Sequence, residues 1–297
     1  MDFYDQLLAQ KLGGGVNPTG SISITENGTY DVTDYASAAV NVKDYSAFKA
    51  IVDDTLTEVT ADMINGCTKI GDYTFYGCTS LTSIIIPNSV TSIGQSAFYG
   101  CTSLTSIIIP NSVTSIGQSA FYGCTSLTSI TIPSSVTKIE GSTFGNCSSL
   151  TSVTITNASA GIGGYAFRNC ISLSNVQIQS GRSTIGDSAF ENCGLISIEI
   201  PEGFTSIGYG TFAGCSSLTS IIIPSTISTI VYPFWGDTSL SSVTVKATYP
   251  PSLGNNSVFD GLAQNLVIYV PESSVNRYKS ATYWSKYADK IQAIPNE

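Results

Sequence analysis

The sequence predicts an α/β-type solenoid: a right-handed superhelix of short coils, parallel β-strands alternating with irregular turns, closed at its C-terminal end by a helix. Three observations carry this. Residues 78–100, CTSLTSIIIPNSVTSIGQSAFYG, recur without a change as residues 101–123. The pattern runs on through 124–146, 147–169 and 170–192, then through two 22-residue versions at 193–214 and 215–236. A period in that range marks units that bury their apolar faces only against neighbours. Within one unit, Leu81 enters the core from a bend, Ile84 and Ile86 alternate as a strand requires, and Pro87 ends the strand.

Taken in order, residues 1–20 read as a short amphipathic helix, 2–12, and a linker built on Gly13 to Gly15, Asn17, Pro18 and Gly20. Residues 21–45 read as a small β-hairpin module, because apolar residues alternate on both sides of Asn27-Gly28. The solenoid occupies 46–265, with a degenerate first coil in which Cys67 falls at the Val90 position. Residues 266–297 supply a strand, Pro271, and a helix starting near Glu272 to Ser274 whose apolar side is Val275, Tyr278, Trp284 and Tyr287. A bare solenoid end would expose core and unpaired strand, so this segment is read as a cap and its aromatic cluster as cap core rather than a ligand site.

The second half of each unit adds Val90, Ile93, Ala97 and Phe98 to the core. Phe75, Phe98, Phe121, Phe144, Phe167, Phe190, Phe212 and Phe234 form one column, whose rings would stack along the solenoid. Gly94 recurs as Gly117, Gly163, Gly186 and Gly208, which suits a turn needing relaxed backbone angles, although Glu140 and Val231 stand at the same place. Seven of the eight cysteines, Cys78, Cys101, Cys124, Cys147, Cys170, Cys193 and Cys215, hold one repeat position. A ladder of thiols along a line cannot supply four ligands around one point, and no C-x-x-C pair exists; the cysteines read as buried fillers.

These residues, C-x-x-L-x-x-I-x-I-P followed by I-x-x-x-A-F, resemble the 23-residue leucine-rich repeats of bacterial BspA-like proteins over roughly residues 56–245. The resemblance implies a leucine-rich repeat fold, a cell-surface or secreted setting, and binding of host proteins, cells or matrix. The chain departs from the pattern at Thr156 and Gln179, which replace the proline, and at Ser159 and Arg182, which replace the valine, so regular geometry is not expected there. The hairpin module resembles a small β-module of gut-bacterial and prophage proteins.

Composition narrows function by exclusion. Only 11% of residues are charged and the net charge is −9, so there is no footprint for nucleic acid. Most of that charge lies in residues 1–62, with ten acids and three bases, and from Cys78 to Gly236 there are five acids and three bases. The opening MDFYDQLLAQKLGGG lacks the basic and apolar regions of a secretory signal, and no run approaches the roughly 18 apolar residues of a membrane span. Localisation is therefore left open by the residues themselves. Histidine is absent, which removes the commonest general base and the Ser-His and Cys-His nucleophile systems. The repeat acids are scattered: only Glu199 and Glu202 of the set Glu140, Asp187, Glu191, Glu199 and Glu202 are near one another. Enzyme is the least supported class, and no cofactor or metal is implied.

What remains is the outward side of the strands. If Ile84 and Ile86 point inward, residue 85 points outward, and its equivalents are Ile108, Thr131, Thr154, Gln177, Glu199, Ile222 and Thr244. A row of serines, with Asn175, flanks it from Ser83 to Ser242. The reading is a non-enzymatic interaction protein that binds a protein or glycan through this face as an adhesin would, with self-association as a further use of it. The alternative is a structural component of a phage or prophage tail, the hairpin module acting as adaptor and the solenoid as tip. A strand surface that tolerates any β-compatible residue would look the same.

Overall fold

The computed structural model describes residues 57–59, 61, 64 and 67–295 apart from 158, 159, 180 and 182, together with two short strands at 22–24 and 30–32. The expected helix and linker in 1–20 lie outside the described residues. Ile22–Ile24 and Tyr30–Val32 pair antiparallel, with Ile22 opposite Val32 and Ile24 opposite Tyr30.

The remainder is a parallel-strand β-solenoid of about 10 turns. Two-to-four-residue strands from successive coils stack in parallel, and most coils carry two of them; the coil of residues 101–123 has one strand, Ser115–Ile116, and a single bridge at Ile108. The outward strand comes from the Ile84–Ile86 segment; a second comes from the Ser92–Ile93 segment. The second ladder is the continuous one: nine strands run without interruption from Lys69–Ile70 to Ser252–Leu253. The sequence pattern places Val90 and Ile93 in the core but reveals no strand there, because apolar positions three apart do not alternate.

The outward ladder is divided into three. Glu58–Val59 pairs with Ser83–Ile84, and Ile85 bridges to Ile108. Ser129–Ile132, Ser152–Ile155 and Asn175–Ile178 form the second group. Ser197–Glu199, Ser220–Ile223, Ser242–Val245, Val267–Val270 and Ile291–Ala293 form the third. Of the departures from the repeat pattern, Ser159 and Arg182 lie outside the described residues; the second ladder shifts register between Ser183 and Ile185 and Val176 and Ile178 are only half-buried, whereas the coils at Thr156 and Gln179 stay paired. Proline has no N–H to donate. Thr156 and Gln179 do, and their amides bond to Ile132 O at 3.1 Å and Ile155 O at 3.3 Å, lengthening the ladder by one bond. The verbatim copies, which keep Pro87 and Pro110, have the sparser pairing.

A third line of backbone bonds runs down the turn that ends each unit, in the opposite sense. Amides at the strand ends mostly donate to the coil before, as Ile85 N does to Val59 O at 3.0 Å, although Ile200 N donates to the coil after, at Ile222 O, 2.9 Å. Turn amides donate to the coil after, as Phe98 N does to Ala120 O at 2.7 Å and Phe121 N to Thr143 O at 2.8 Å. This turn needs two left-handed residues. Ser96, Ser119, Ser142 and Ser188 take the first with φ of 52–56°. Gly100 and Gly123 take the second at 72°, and Asn146, Asn169 and Asn192 replace glycine there, as asparagine tolerates that region best among side-chain residues. Their amides form a ladder: Asn192 Nδ2 donates to Asn169 Oδ1, Asn169 Nδ2 to Asn146 Oδ1, both at 2.8 Å, and Asn146 Nδ2 to Tyr122 OH at 2.7 Å.

The glycine row around Gly117 has a different cause from the one its sequence suggests. None of Gly94, Gly117, Gly163, Gly186 and Gly208 has a positive φ. A Cβ on Gly117 would lie 2.5 Å from Gln95 N, and one on Gly186 2.5 Å from Gly164 N. Gly94, Gly117, Gly163 and Gly186 are glycine because adjacent coils touch backbone to backbone, whereas at Gly208 the nearest atom is the Asp187 carboxylate.

The core is a set of columns. The phenylalanines stack with centroids 5.1–5.4 Å apart and planes within 6° from Phe98 to Phe190. The spacing widens to 6.1 Å at Phe212–Phe234 and Phe234–Phe259, where Phe259 extends the column into the cap. The cap itself is one short helix, Val275–Ser280, between 3-10 turns at Glu272–Ser274 and Trp284–Tyr287.

Candidate functional site

The strand face is built by alternation. Ile84 and Ile86 are buried, and Ile85 between them is 57% exposed. Its neighbour Ile108 is 82% exposed, directly opposite across a parallel bridge. Thr131, Thr154 and Gln177 are register partners in the second group, and Glu199, Ile222 and Thr244 in the third. Thr131, Gln177 and Glu199 are exposed, and Thr154, Ile222 and Thr244 half-exposed. The structure therefore brings the eight together as two, three and three rather than as one paired row. Between Ile108 and Thr131 the strand pairing lapses, and the coils there are tied by Thr128 N to Thr105 O at 3.2 Å. Tyr269 and Gln292 continue the third group beyond Thr244. They are missing from the row expected from the repeats, though VIYV carries the same apolar-out-apolar pattern as the upstream strands.

Beside this row, threonine hydroxyls run along the solenoid instead of toward solvent. Thr82 Oγ1 donates to Thr57 O at 2.8 Å and Thr151 Oγ1 to Thr128 O at 3.0 Å. Among the described residues the ionic contact on the face is Lys246 Nζ to Glu199 Oε1 at 2.7 Å, spanning two coils. Both partners are well solvated, so it contributes at most about 1 kcal/mol. Glu202, the only acid near Glu199 in sequence, is turned elsewhere. It accepts from Ser225 N at 3.0 Å and Ser225 Oγ at 2.8 Å, and the first of these chiefly lowers its pKa. The two carboxylates thus have separate partners and do not form an acid–base pair.

Two further sets of residues that invite chemistry are packing. All eight cysteines are buried thiols. From Cys101 onward, each ladder thiol donates to the phenylalanine carbonyl one coil back: Cys101 to Phe75 O at 3.1 Å, Cys124 to Phe98 O at 3.2 Å, and so on to Cys215 and Phe190 O at 3.1 Å. The same carbonyls also accept the Cys N–H of their own coil, as Phe98 O does from Cys101 N at 3.2 Å. Cysteine recurs here because it is small, apolar enough to bury, and still carries a donor for the second lone pair. Burial pushes the Cys124 thiol up to about 12, so it stays protonated and unreactive. Thiol titration should accordingly find almost none in the native protein and close to eight after denaturation without reductant. Two or fewer on denaturation would mean disulfides bridge the rungs.

The C-terminal aromatic cluster is likewise interior, although Tyr283 beside it is exposed. Trp284, Tyr278 and Tyr287 are buried, and each polar tip has a backbone partner: Trp284 Nε1 to Pro251 O at 2.8 Å, Tyr278 OH to Ala247 O at 2.7 Å, and Tyr287 OH to Asn256 O at 2.8 Å. Exposed aromatic surface lies instead on the turns, where Tyr76, Tyr99 and Tyr122 stack at 4.8 and 4.9 Å and Tyr209 and Trp235 stand in solvent. The repeated FYG triplet holds the signal for the stack. Among the described residues no helix is long and apolar enough to cross a membrane.

Parallel strands stacked coil on coil, reading I-x-I or the same pattern with valine between a core leucine and a core phenylalanine, define a leucine-rich repeat solenoid. The model of the BspA-type leucine-rich repeat region matches residues 46–161 and 137–260, and the chain belongs to that family. Solved structures similar to it include a leucine-rich cell surface protein from Faecalibacterium prausnitzii, at 31% identity over 71% of this chain and 63% of that one, TM-score 0.45. The chain thus spans somewhat under two thirds of that protein's length. A leucine-rich repeat protein from Bacteroides ovatus matches over 95% of this chain and 93% of its own, at 23% identity and TM-score 0.54. The leucine-rich repeat protein of T. pallidum is 31% identical over 58% of this chain and 71% of its own, TM-score 0.44. A search of curated proteins found no match.

Proposed function

We propose that this protein is a non-enzymatic interaction protein that holds a protein or glycan partner against its strand face, in the manner of an adhesin. The observation that carries the reading is the pair Ile85 and Ile108: two large aliphatic side chains, mostly solvent-exposed, side by side on adjacent coils. Neither supports the core, and paired exposed aliphatics flanked by hydroxyl rows suit a contact surface. Membership of the BspA-type repeat family agrees with such a role, as does the similarity to the F. prausnitzii relative, itself a cell surface protein.

The double variant Ile85→Lys, Ile108→Lys should lose capture of partners from host-cell and bacterial lysates while keeping its circular dichroism and melting temperature. Full capture by the folded variant would remove this face from the reading.

A further inference from the structure

One rung of the thiol ladder is not a thiol. Asp237 holds the cysteine position of the coil that follows Cys215, and it is completely buried. Its backbone does what the cysteines' backbones do, with Asp237 N donating to Phe234 O at 3.1 Å. Its side chain does not: neither Oδ1 nor Oδ2 has a hydrogen-bond partner, the one such case among the described residues. The carbonyl that a thiol in this place would serve is Phe212 O, which already accepts Cys215 N at 3.0 Å. A carboxylate cannot use that oxygen, since both are acceptors; a neutral carboxyl carries one O–H and can.

We propose that Asp237 is protonated in the folded protein and donates its O–H to the Phe212 carbonyl, so that the junction between solenoid and cap is a proton-dependent latch that loosens when Asp237 ionises. The geometry asks for this on two counts: an unpaired carboxylate in a fully buried site is strongly disfavoured, and the acid form restores the bond that the ladder makes six times upstream. The charge environment offers no other rescue. Cys215 on the coil before is itself held neutral, by burial first and by Asp237 second. Glu191 is paired with Arg168, and Asp260 on the coil after with Lys286 and Tyr287. The amides of Gly214 and Cys215 lie beside the carboxyl but donate to Trp235 O and Phe212 O. Burial accordingly raises the Asp237 pKa to about 8, the two amides drawing it back only in part.

A carboxyl whose folded pKa lies near 8 and whose unfolded pKa lies near 4 binds more protons folded than unfolded throughout that window. Its stabilisation is complete below about pH 4 and is lost as pH rises toward 8, the unfolding constant growing about tenfold per pH unit. The latch sits where the phenylalanine column widens to 6.1 Å and passes to Phe259 and the cap, so acid tightens the end of the solenoid.

The test compares the full-length protein with Asp237→Cys, which restores the usual rung, and Asp237→Asn. Urea unfolding of the wild type relative to Asp237→Cys should worsen about 100-fold in the unfolding constant between pH 5 and pH 7. In protein carrying 13C-carboxyl aspartate, one resonance should titrate near pH 8 and be missing from Asp237→Asn. A pH-independent difference from Asp237→Cys, or all aspartate resonances titrating at or below about pH 4, would overturn the proposal. The wild-type titration decides the matter even if both variants fail to fold.

Discussion

Phe121→Ala should destabilise the protein by roughly 3–5 kcal/mol, the range for a large buried aromatic truncated to alanine. Phe121 is fully buried and stacks on Phe98 at 5.1 Å and on Phe144 at 5.3 Å, with planes within 4° and 1°. Removing it deprives two rings of a face at once. The cavity cannot collapse, because backbone bonds on both sides hold the coils at fixed spacing: Phe121 N to Thr143 O at 2.8 Å and Phe98 N to Ala120 O at 2.7 Å. Phe75→Ala, at the start of the column, should cost less, since its described ring contact is with Phe98 alone. Urea titration checks both; an unchanged midpoint for Phe121→Ala would place that ring outside the core.

Trp284→Ala should be comparably severe, about 3–5 kcal/mol. The indole closes the column through Phe259 at 5.3 Å, meets Tyr278 edge-on at 4.8 Å, and its Nε1 satisfies the Pro251 carbonyl. Loss of the ring uncovers the last coil and orphans that carbonyl, whereas Trp284→Phe retains most of the packing and should lose only about 1–3 kcal/mol. Thermal melts distinguish the two. Equal, small shifts would mean the cap is not needed to close the core.

How much of this is legible in the residues depends on the length scale. The inward positions Leu81, Ile84, Ile86, Val90, Ile93 and Phe98 are readable because each recurs in a verbatim copy, and all are buried. The outward direction of Ile85 follows from strand alternation alone. The second ladder is not readable, because a two-residue strand such as Ser92–Ile93 is shorter than any pattern that distinguishes strand from turn. The division of the outward row into three groups is equally hidden. It depends on which backbone amides find carbonyls across coils.

By itself the sequence determined the period, the core columns and the absence of histidine chemistry, since these are properties of residue type and spacing. Only the tertiary structure decided why three of those residue types stand where they do. Gly117 is glycine because Gln95 N would lie 2.5 Å from its Cβ. Cys124 is cysteine because Phe98 O has a second lone pair to fill. Asp237 is set apart because the same place, filled by a carboxyl, has no partner for its charge. The first two reasons are contacts between residues 22 and 26 positions apart. Stacking the coils brings such residues within hydrogen-bonding distance, and no local pattern in the chain encodes that distance.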